Sequence, residues 1–179
     1  MRQEGKEEKI FEIRQSGLNE LASIKMVHEA AFERRAEADL VQAIMKSPEF
    51  IPELSLGAYV EDKHLVGHIL FSLVEFDRSK EKRALALAPV AILPDYQRQG
   101  IGSALIEKAI VVADAEEYSA IIVLGDGSYY ERFGFKKAME FDIHPPFEVE
   151  DENYRVVPLS AYRKDIVGKV IYHQAFQSV

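Results

Sequence analysis

The residues Gln97-Arg98-Gln99-Gly100-Ile101-Gly102 stand directly ahead of an apolar series at helical spacing, Ile101, Leu105, Ala109 and Val112. A helix that starts there leaves its first amides without partners. Its dipole favours negative charge, and glycine lets a ligand approach the main chain closely. The chemistry available to this pattern is the holding of a phosphate on backbone N–H groups. The same glycines would also serve a tight turn that packs a helix against a strand. Arg98 can add a charge-assisted contact to such a phosphate or stand solvated at the surface.

Two familiar phosphate-binding patterns fail on these residues. A dinucleotide fold needs Gly-x-Gly-x-x-Gly/Ala in its first βαβ unit, but Leu105 fills the third small position and three strands already precede the turn. A P-loop needs Gly-Lys-Ser/Thr, which occurs nowhere in the chain.

Composition narrows the remaining chemistry. The chain has 179 residues, is 47% hydrophobic and 29% charged, and so has the length for one domain with a substantial core. It contains no cysteine, which excludes disulfides, thiolate metal sites and cysteine nucleophiles and suits a reducing compartment. The five histidines, His28, His64, His68, His144 and His173, are scattered without ligand spacing, and no metal is expected. A net charge of -8 disfavours nucleic acid and tilts the expected partner toward a small cation. No apolar run reaches membrane-spanning length, so neither a membrane partner nor a signal segment is expected, and the cytoplasm is the default location.

The elements that must position the glycine-rich turn can be read from the pattern. Residues 1–8 form a charged arm without apolar periodicity, and 9–179 read as one domain. A first strand is expected at Ile10 to Arg14. Ser16 then caps a helix running to about Phe32, and a second helix lies around Leu40, Val41 and Ile44. The polar segment Glu33 to Asp39 between them is a solvated surface or the rim of a substrate pocket. Strands at Leu54 to Val60, Leu65 to Phe76 and Arg83 to Leu93 are joined by charged connections suited to antiparallel hairpins.

After the central helix, Ala120-Ile121-Ile122-Val123-Leu124 reads as a strand buried on both faces. A helical crossover should make it a parallel neighbour of the Leu85 to Leu93 strand. Gly125-Asp126-Gly127-Ser128 leads into a short helix, Tyr129 to Phe133, closed by Gly134. Further strands are expected at Phe135 to Phe141, Tyr154 to Pro158 and Val167 to His173, with a Pro145-Pro146 and acidic loop among them.

Two segments together point to a family. Pro94-Asp95-Tyr96-Gln97-Arg98-Gln99-Gly100-Ile101-Gly102 resembles the acyl-CoA-binding motif, Gln/Arg-x-x-Gly-x-Gly/Ala, of the GNAT superfamily of N-acyltransferases. Tyr130-Glu131-Arg132-Phe133-Gly134-Phe135 resembles the superfamily's Tyr-x-x-x-Gly-Phe signature at the right distance downstream. The resemblance covers roughly Ile10 to Phe141. The fuller run Leu124-Gly125-Asp126-Gly127-Ser128-Tyr129-Tyr130-Glu131-Arg132-Phe133-Gly134-Phe135 is similar to a largely bacterial subgroup of predicted N-acetyltransferases.

The resemblance implies an α/β GNAT fold, a mixed central sheet flanked by helices whose central parallel strands splay to admit the CoA arm. It implies acetyl transfer from acetyl-CoA to a primary amine by direct nucleophilic attack, with acetyl-CoA as cosubstrate and no metal. The main chain of Ala91, Ile92 and Leu93 would meet the pantetheine arm and polarise the thioester carbonyl. Gln97, Arg98, Gln99, Gly100, Ile101, Gly102 and Ser103 would hold the pyrophosphate.

Tyr130 would be the general acid that protonates the departing thiolate; an aromatic that only packs against the cofactor is the alternative. Tyr129 pairs with Phe133 at i, i+4 and reads as core. The Asn-x-x-Ala that many members place before the tyrosine is absent here. The candidates for a base are His68, Glu75, Asp126 and His144. Each reads more simply as a structural residue, leaving a water chain as the working base. The acceptor is open, a homodimer is admitted, and two rival readings stand: a non-catalytic acyl-CoA-binding or regulatory module, and an ordinary nucleotide-binding α/β protein.

Overall fold

A computed structural model describes residues 10–178; the charged arm expected at residues 1–8 lies outside them. The chain forms β1 (Glu12–Gln15), α1 (Leu21–Phe32), α2 (Ala36–Met45), β2 (Ser55–Val60), β3 (His64–Phe76) and β4 (Ser79–Ile92). Then follow α3 (Ile101–Ala115), β5 (Ala120–Leu124), α4 (Gly127–Glu131), β6 (Lys136–Lys137), β7 (Ile143–His144), β8 (Tyr154–Pro158) and β9 (Gly168–Ile171). The strands pair in the order β1-β2-β3-β4-β5-β8-β6, and β9 joins β3 and β7.

β1 pairs antiparallel with β2 across the intervening α1 and α2, and the hairpins β2–β3 and β3–β4 are antiparallel, as their short charged connections require. The last connection is tighter than its charge pattern suggests. Phe76 faces Ser79 across a two-residue turn, because the polar residues Ser79 to Lys82 prolong β4 instead of looping. Ser16 is not a helix cap. Its amide donates to Ser55 O at 2.9 Å, which draws it into the sheet beside β1, and α1 begins only after a 3₁₀ turn at Leu18–Glu20. Between α1 and α2, Glu33 turns left-handed at φ 55°, and the Arg34 guanidinium grips the nearly buried Glu37 carboxylate. The expected strand from Phe135 to Phe141 shrinks to β6, since Ala138–Phe141 winds into a 3₁₀ turn.

The sheet carries apolar side chains on both faces. Ile101, Leu105, Ile106, Ala109 and Ala113 of α3 pack with Val66, Ile69, Leu85, Ile121 and Tyr130. The opposite face holds Ile24 and Val27 of α1 and Leu40, Val41 and Ile44 of α2 against Leu70, Ala88 and Ala91. β5 sends Ile121 and Val123 into one part of the core and Ala120 and Ile122 into another on the opposite face, which is why its apolar run has no alternation; only its last residue, Leu124, is exposed.

The parallel ladder between β4 and β5 is short. It joins Ala84, Leu85 and Ala86 to Ala120, Ile121 and Ile122, and no pairing continues beyond. β4 nevertheless runs on to Ile92, while β5 stays paired with β8 through Leu124. The register of β3 and β4 shifts at this place: Leu70 faces Ala88 but Ile69 faces Val90, so Pro89 is the extra residue of a bulge. Proline lacks the N–H a ladder needs, and a bulge bends its strand, so Pro89 stands where β4 leaves β5.

Candidate acyl-donor site

The gap opened by this parting is lined on one side by the last residues of β4. Leu93 N–H donates to Val66 O at 2.8 Å. Alternation along an antiparallel ladder then turns the main-chain groups of Ala91 toward β3 and those of Val90 and Ile92 toward the gap. Gln97 Nε2 donates to Ile92 O at 3.0 Å, so the group of Ile92 left for a ligand is its N–H. Of the three residues expected to offer main-chain contacts, Ile92 alone has that orientation; Val90, which sequence reasoning missed, shares it.

At the mouth of the gap the chain makes a 3₁₀ turn, Pro94–Tyr96, and then the glycine-rich segment. Arg98 has φ 57° and Gly100 φ 83°, an alternation of hands that aims successive amides into one concavity. Among the described residues none of the amides from Arg98 to Ser103 donates a hydrogen bond, and α3 has no side-chain cap. The Gln97 amide is engaged with Pro94 O at 3.3 Å. A Cβ placed on Gly100 would meet nothing within 4 Å, so packing is not what demands glycine there. Unpartnered amides on an open hollow at a helix N-terminus suit phosphate oxygens.

The other wall belongs to β5 and α4. Asp126 caps α4, accepting from the amides of Ser128 at 2.8 Å and Tyr129 at 3.2 Å. The cap sets Tyr130 on the inward face, where only 8% of it is exposed and its ring meets Tyr129 and Phe135 edge-on. A Cβ on Gly125 would lie 2.5 Å from Tyr130 Cε2, so glycine at that position lets the ring lie against the strand end. Burial, assisted by Tyr129, pushes the Tyr130 phenol up to about 12. Tyr129 is half-buried and stacks edge-on with Phe133; a Cβ on Gly102 would fall 3.4 Å from its hydroxyl. It thus reaches the glycine segment, a placement that its helical spacing did not reveal.

The four candidate bases are dispersed. Glu75 is exposed and paired with Lys82. His144, exposed on β7, has its Nε2 2.7 Å from Asp142 Oδ1. Asp126 is committed to its cap, and the Ser128 hydroxyl and the capped amides hold its carboxyl below the usual range. His68 is fully buried, with Nδ1 2.9 Å from His28 Nε2 and Nε2 3.0 Å from Ser55 Oγ; burial drives it well below its ordinary value. Among the described residues no group of three or more His, Asp or Glu side chains could hold a metal ion.

A mixed sheet parted at its parallel pair, with an anion hollow on the connecting helix, defines an α/β transferase of the acyl-CoA-dependent kind. The chain belongs to the Acetyltransferase (GNAT) family, whose match spans residues 18–135. It is 34% identical over 137 residues to the uncharacterized N-acetyltransferase YjhQ of Escherichia coli K12, a match covering 75% of each chain. The solved structure of the GNAT family N-acetyltransferase YhbS of Escherichia coli, in complex with CoA, superposes with a TM-score of 0.85 at 26% identity, covering 93% of this chain and 92% of that one. A GNAT family acetyltransferase from Brucella melitensis, in complex with acetyl-CoA, superposes with a TM-score of 0.77 at 29% identity, covering 94% and 99%.

Proposed function

We propose that the protein transfers an acetyl group from acetyl-CoA to a primary amine by direct attack of the amine nitrogen on the thioester carbonyl. The observation that carries this reading is the parting of β4 from β5 beyond Ala86 and Ile122, with unpartnered amides at its mouth and Tyr130 on its β5 side. The CoA and acetyl-CoA complexes of the two solved relatives support the choice of donor.

Each residue then has a definite task. The amides from Arg98 to Ser103, with Gln97 beside them, hold the pyrophosphate. The N–H of Ile92 donates to the thioester oxygen as negative charge develops there, while Ala91 and Leu93 shape the wall. Tyr130, kept protonated by its burial, gives its proton to the sulfur as the C–S bond breaks and the C–N bond forms. The proton lost by the amine passes to water, because the candidate side chains are engaged elsewhere or buried.

The net charge of -8 favours a small cationic amine as acceptor. We further read residues 9–179 as one domain and the enzyme as cytoplasmic, acting without nucleic acid or membrane and compatible with a homodimer. No helix among the described residues is long and apolar enough to cross a membrane.

Steady-state assays of acetyl-CoA against a panel of polyamines, amino acid derivatives and peptide amines, read by release of free thiol, test the reaction. Turnover on any amine upholds it. Calorimetric binding of acetyl-CoA without turnover on any acceptor favours a non-catalytic module, and preference for ATP or NAD over CoA overturns the donor.

A further inference from the structure

Arg132 follows the last residue of α4 and reaches across to α3, where its Nη2 donates to Ser103 Oγ at 2.8 Å. The guanidinium lies over the rings of Tyr129, at 4.9 Å, and Phe133, at 5.2 Å. It is exposed, and among the described residues no carboxylate pairs with it, whereas Arg34, Arg78, Arg155 and Arg163 each have one. Ser103 belongs to the first turn of α3, whose amides lack partners. A cation held by two aromatic faces and one hydroxyl has lost much of its rotamer freedom, and four of its five N–H donors remain uncommitted.

We propose that Arg132 is a phosphate anchor of the acyl-donor site, binding phosphate oxygens of the donor beside Ser103. The inference rests on the acyl-CoA reading above and deepens it, since Arg132 lies 29 positions from the hydroxyl it holds, outside the glycine-rich motif. The aromatic faces and the Ser103 hydroxyl fix the guanidinium plane before the ligand arrives, so ordering it costs little on binding. The same side chain joins the helix bearing Tyr130 to the helix bearing the phosphate hollow, so donor binding at one steadies the other.

The phosphates concerned are the pyrophosphate or the 3′-phosphate, and the choice of donor separates them. Isothermal titration of wild type, Arg132→Ala, Arg132→Lys and Ser103→Ala with CoA and with 3′-dephospho-CoA gives the binding arm. Turnover of acetyl-CoA and of S-acetylpantetheine, which has no phosphate ester beyond the pantetheine arm, gives the kinetic arm.

Arg132→Ala should weaken CoA about tenfold, as expected for loss of a charge-assisted contact, with Arg132→Lys recovering part of the affinity and Ser103→Ala costing about threefold. It should lower kcat/KM for acetyl-CoA about tenfold more than for S-acetylpantetheine. A loss with both CoA and dephospho-CoA assigns the pyrophosphate, and a loss with CoA alone the 3′-phosphate; either supports the anchor. Equal losses with acetyl-CoA and S-acetylpantetheine, or unchanged CoA affinity, overturn it. Wild type that binds no CoA overturns the donor reading itself, a result distinct from wild type that binds CoA with Arg132→Ala unchanged.

Discussion

His28 Nε2 and His68 Nδ1 meet at 2.9 Å inside the fold, joining α1 to β3, and His68 Nε2 continues to Ser55 Oγ at 3.0 Å. His28 Nδ1 is buried with no partner. An orphaned lone pair costs less than an orphaned N–H, so the arrangement of least cost has His28 Nε2–H donating to His68, and His68 Nε2–H donating to Ser55. Both rings are then neutral. Burial brings His28 down to about 3 and His68 well below its ordinary value.

This pair predicts acid sensitivity with a definite sign. The unfolded chain takes up protons on both rings as pH falls through about 6.5, and the folded chain does not until far lower. The stability due to the neutral pair is therefore complete above pH 6.5 and is lost progressively below it. Urea unfolding at pH 7.5 and 5.5 should differ by about 2–3 kcal/mol, and His68→Gln should reduce that difference. Equal stabilities at the two pH values would mean the pair is accessible to protons.

Tyr130→Phe should lower kcat by about a hundredfold while the KM for acetyl-CoA stays within about twofold, the pattern of a lost general acid. Because burial holds the phenol near 12, no tyrosine ionisation should appear in the pH profile up to about pH 10. Full activity in the variant would reduce Tyr130 to a packing residue.

Gly125→Ala tests the ring's position without touching the hydroxyl. The new Cβ would lie 2.5 Å from Tyr130 Cε2, and an aromatic ring in a packed core has no flexible end to move. Thermal unfolding should register a loss of about 1–3 kcal/mol, the usual cost of overpacking, and kcat should fall with Tyr130 displaced. Unaltered stability and kcat together would show that the ring has room to shift.

Gly100 separates backbone strain from ligand exclusion. Its φ of 83° penalises any side chain, while the surrounding space is open. Gly100→Ala should therefore cost about 1 kcal/mol of stability, and Gly100→Glu should also abolish CoA binding by setting negative charge in the hollow. Calorimetry that finds CoA bound equally by Gly100→Glu would move the phosphate site elsewhere.

The sequence announced the parts of this site that are local. Glycine spacing before an apolar helix located the hollow, and the unbroken Ala120 to Leu124 run located a strand buried on both faces. Contacts between distant positions left no periodic signal: Arg132 with Ser103, His28 with His68, and Tyr129 with Gly102 are each created by packing. Orientation was equally hidden. That Ile92 offers its amide while Leu93 spends its own on Val66 follows from the register of β4 on β3, which neither residue's identity encodes. Ser16 misled because a good capping residue can also be claimed by a neighbouring strand.

Opposite the mouth, where Arg132 bonds Ser103, backbone pairing ties together the arms on either side of the gap. The three-residue ladder from Ala84 to Ala86 does this, and so does β9, which returns from the far arm to pair Val170 with Phe76 and Ile171 with Glu75. From Ala86 to Ile92 the strand then extends unsupported on the β5 side for about 20 Å, at about 3.3 Å per residue. A lever of that length turns a rotation of about 5° at its base into a displacement of about 2 Å at Ile92. A slight turn of the paired β3 and β4 at the narrow end is thus enough to change the width of the cleft, and that end is bound by a strand that arrives from the last tenth of the chain.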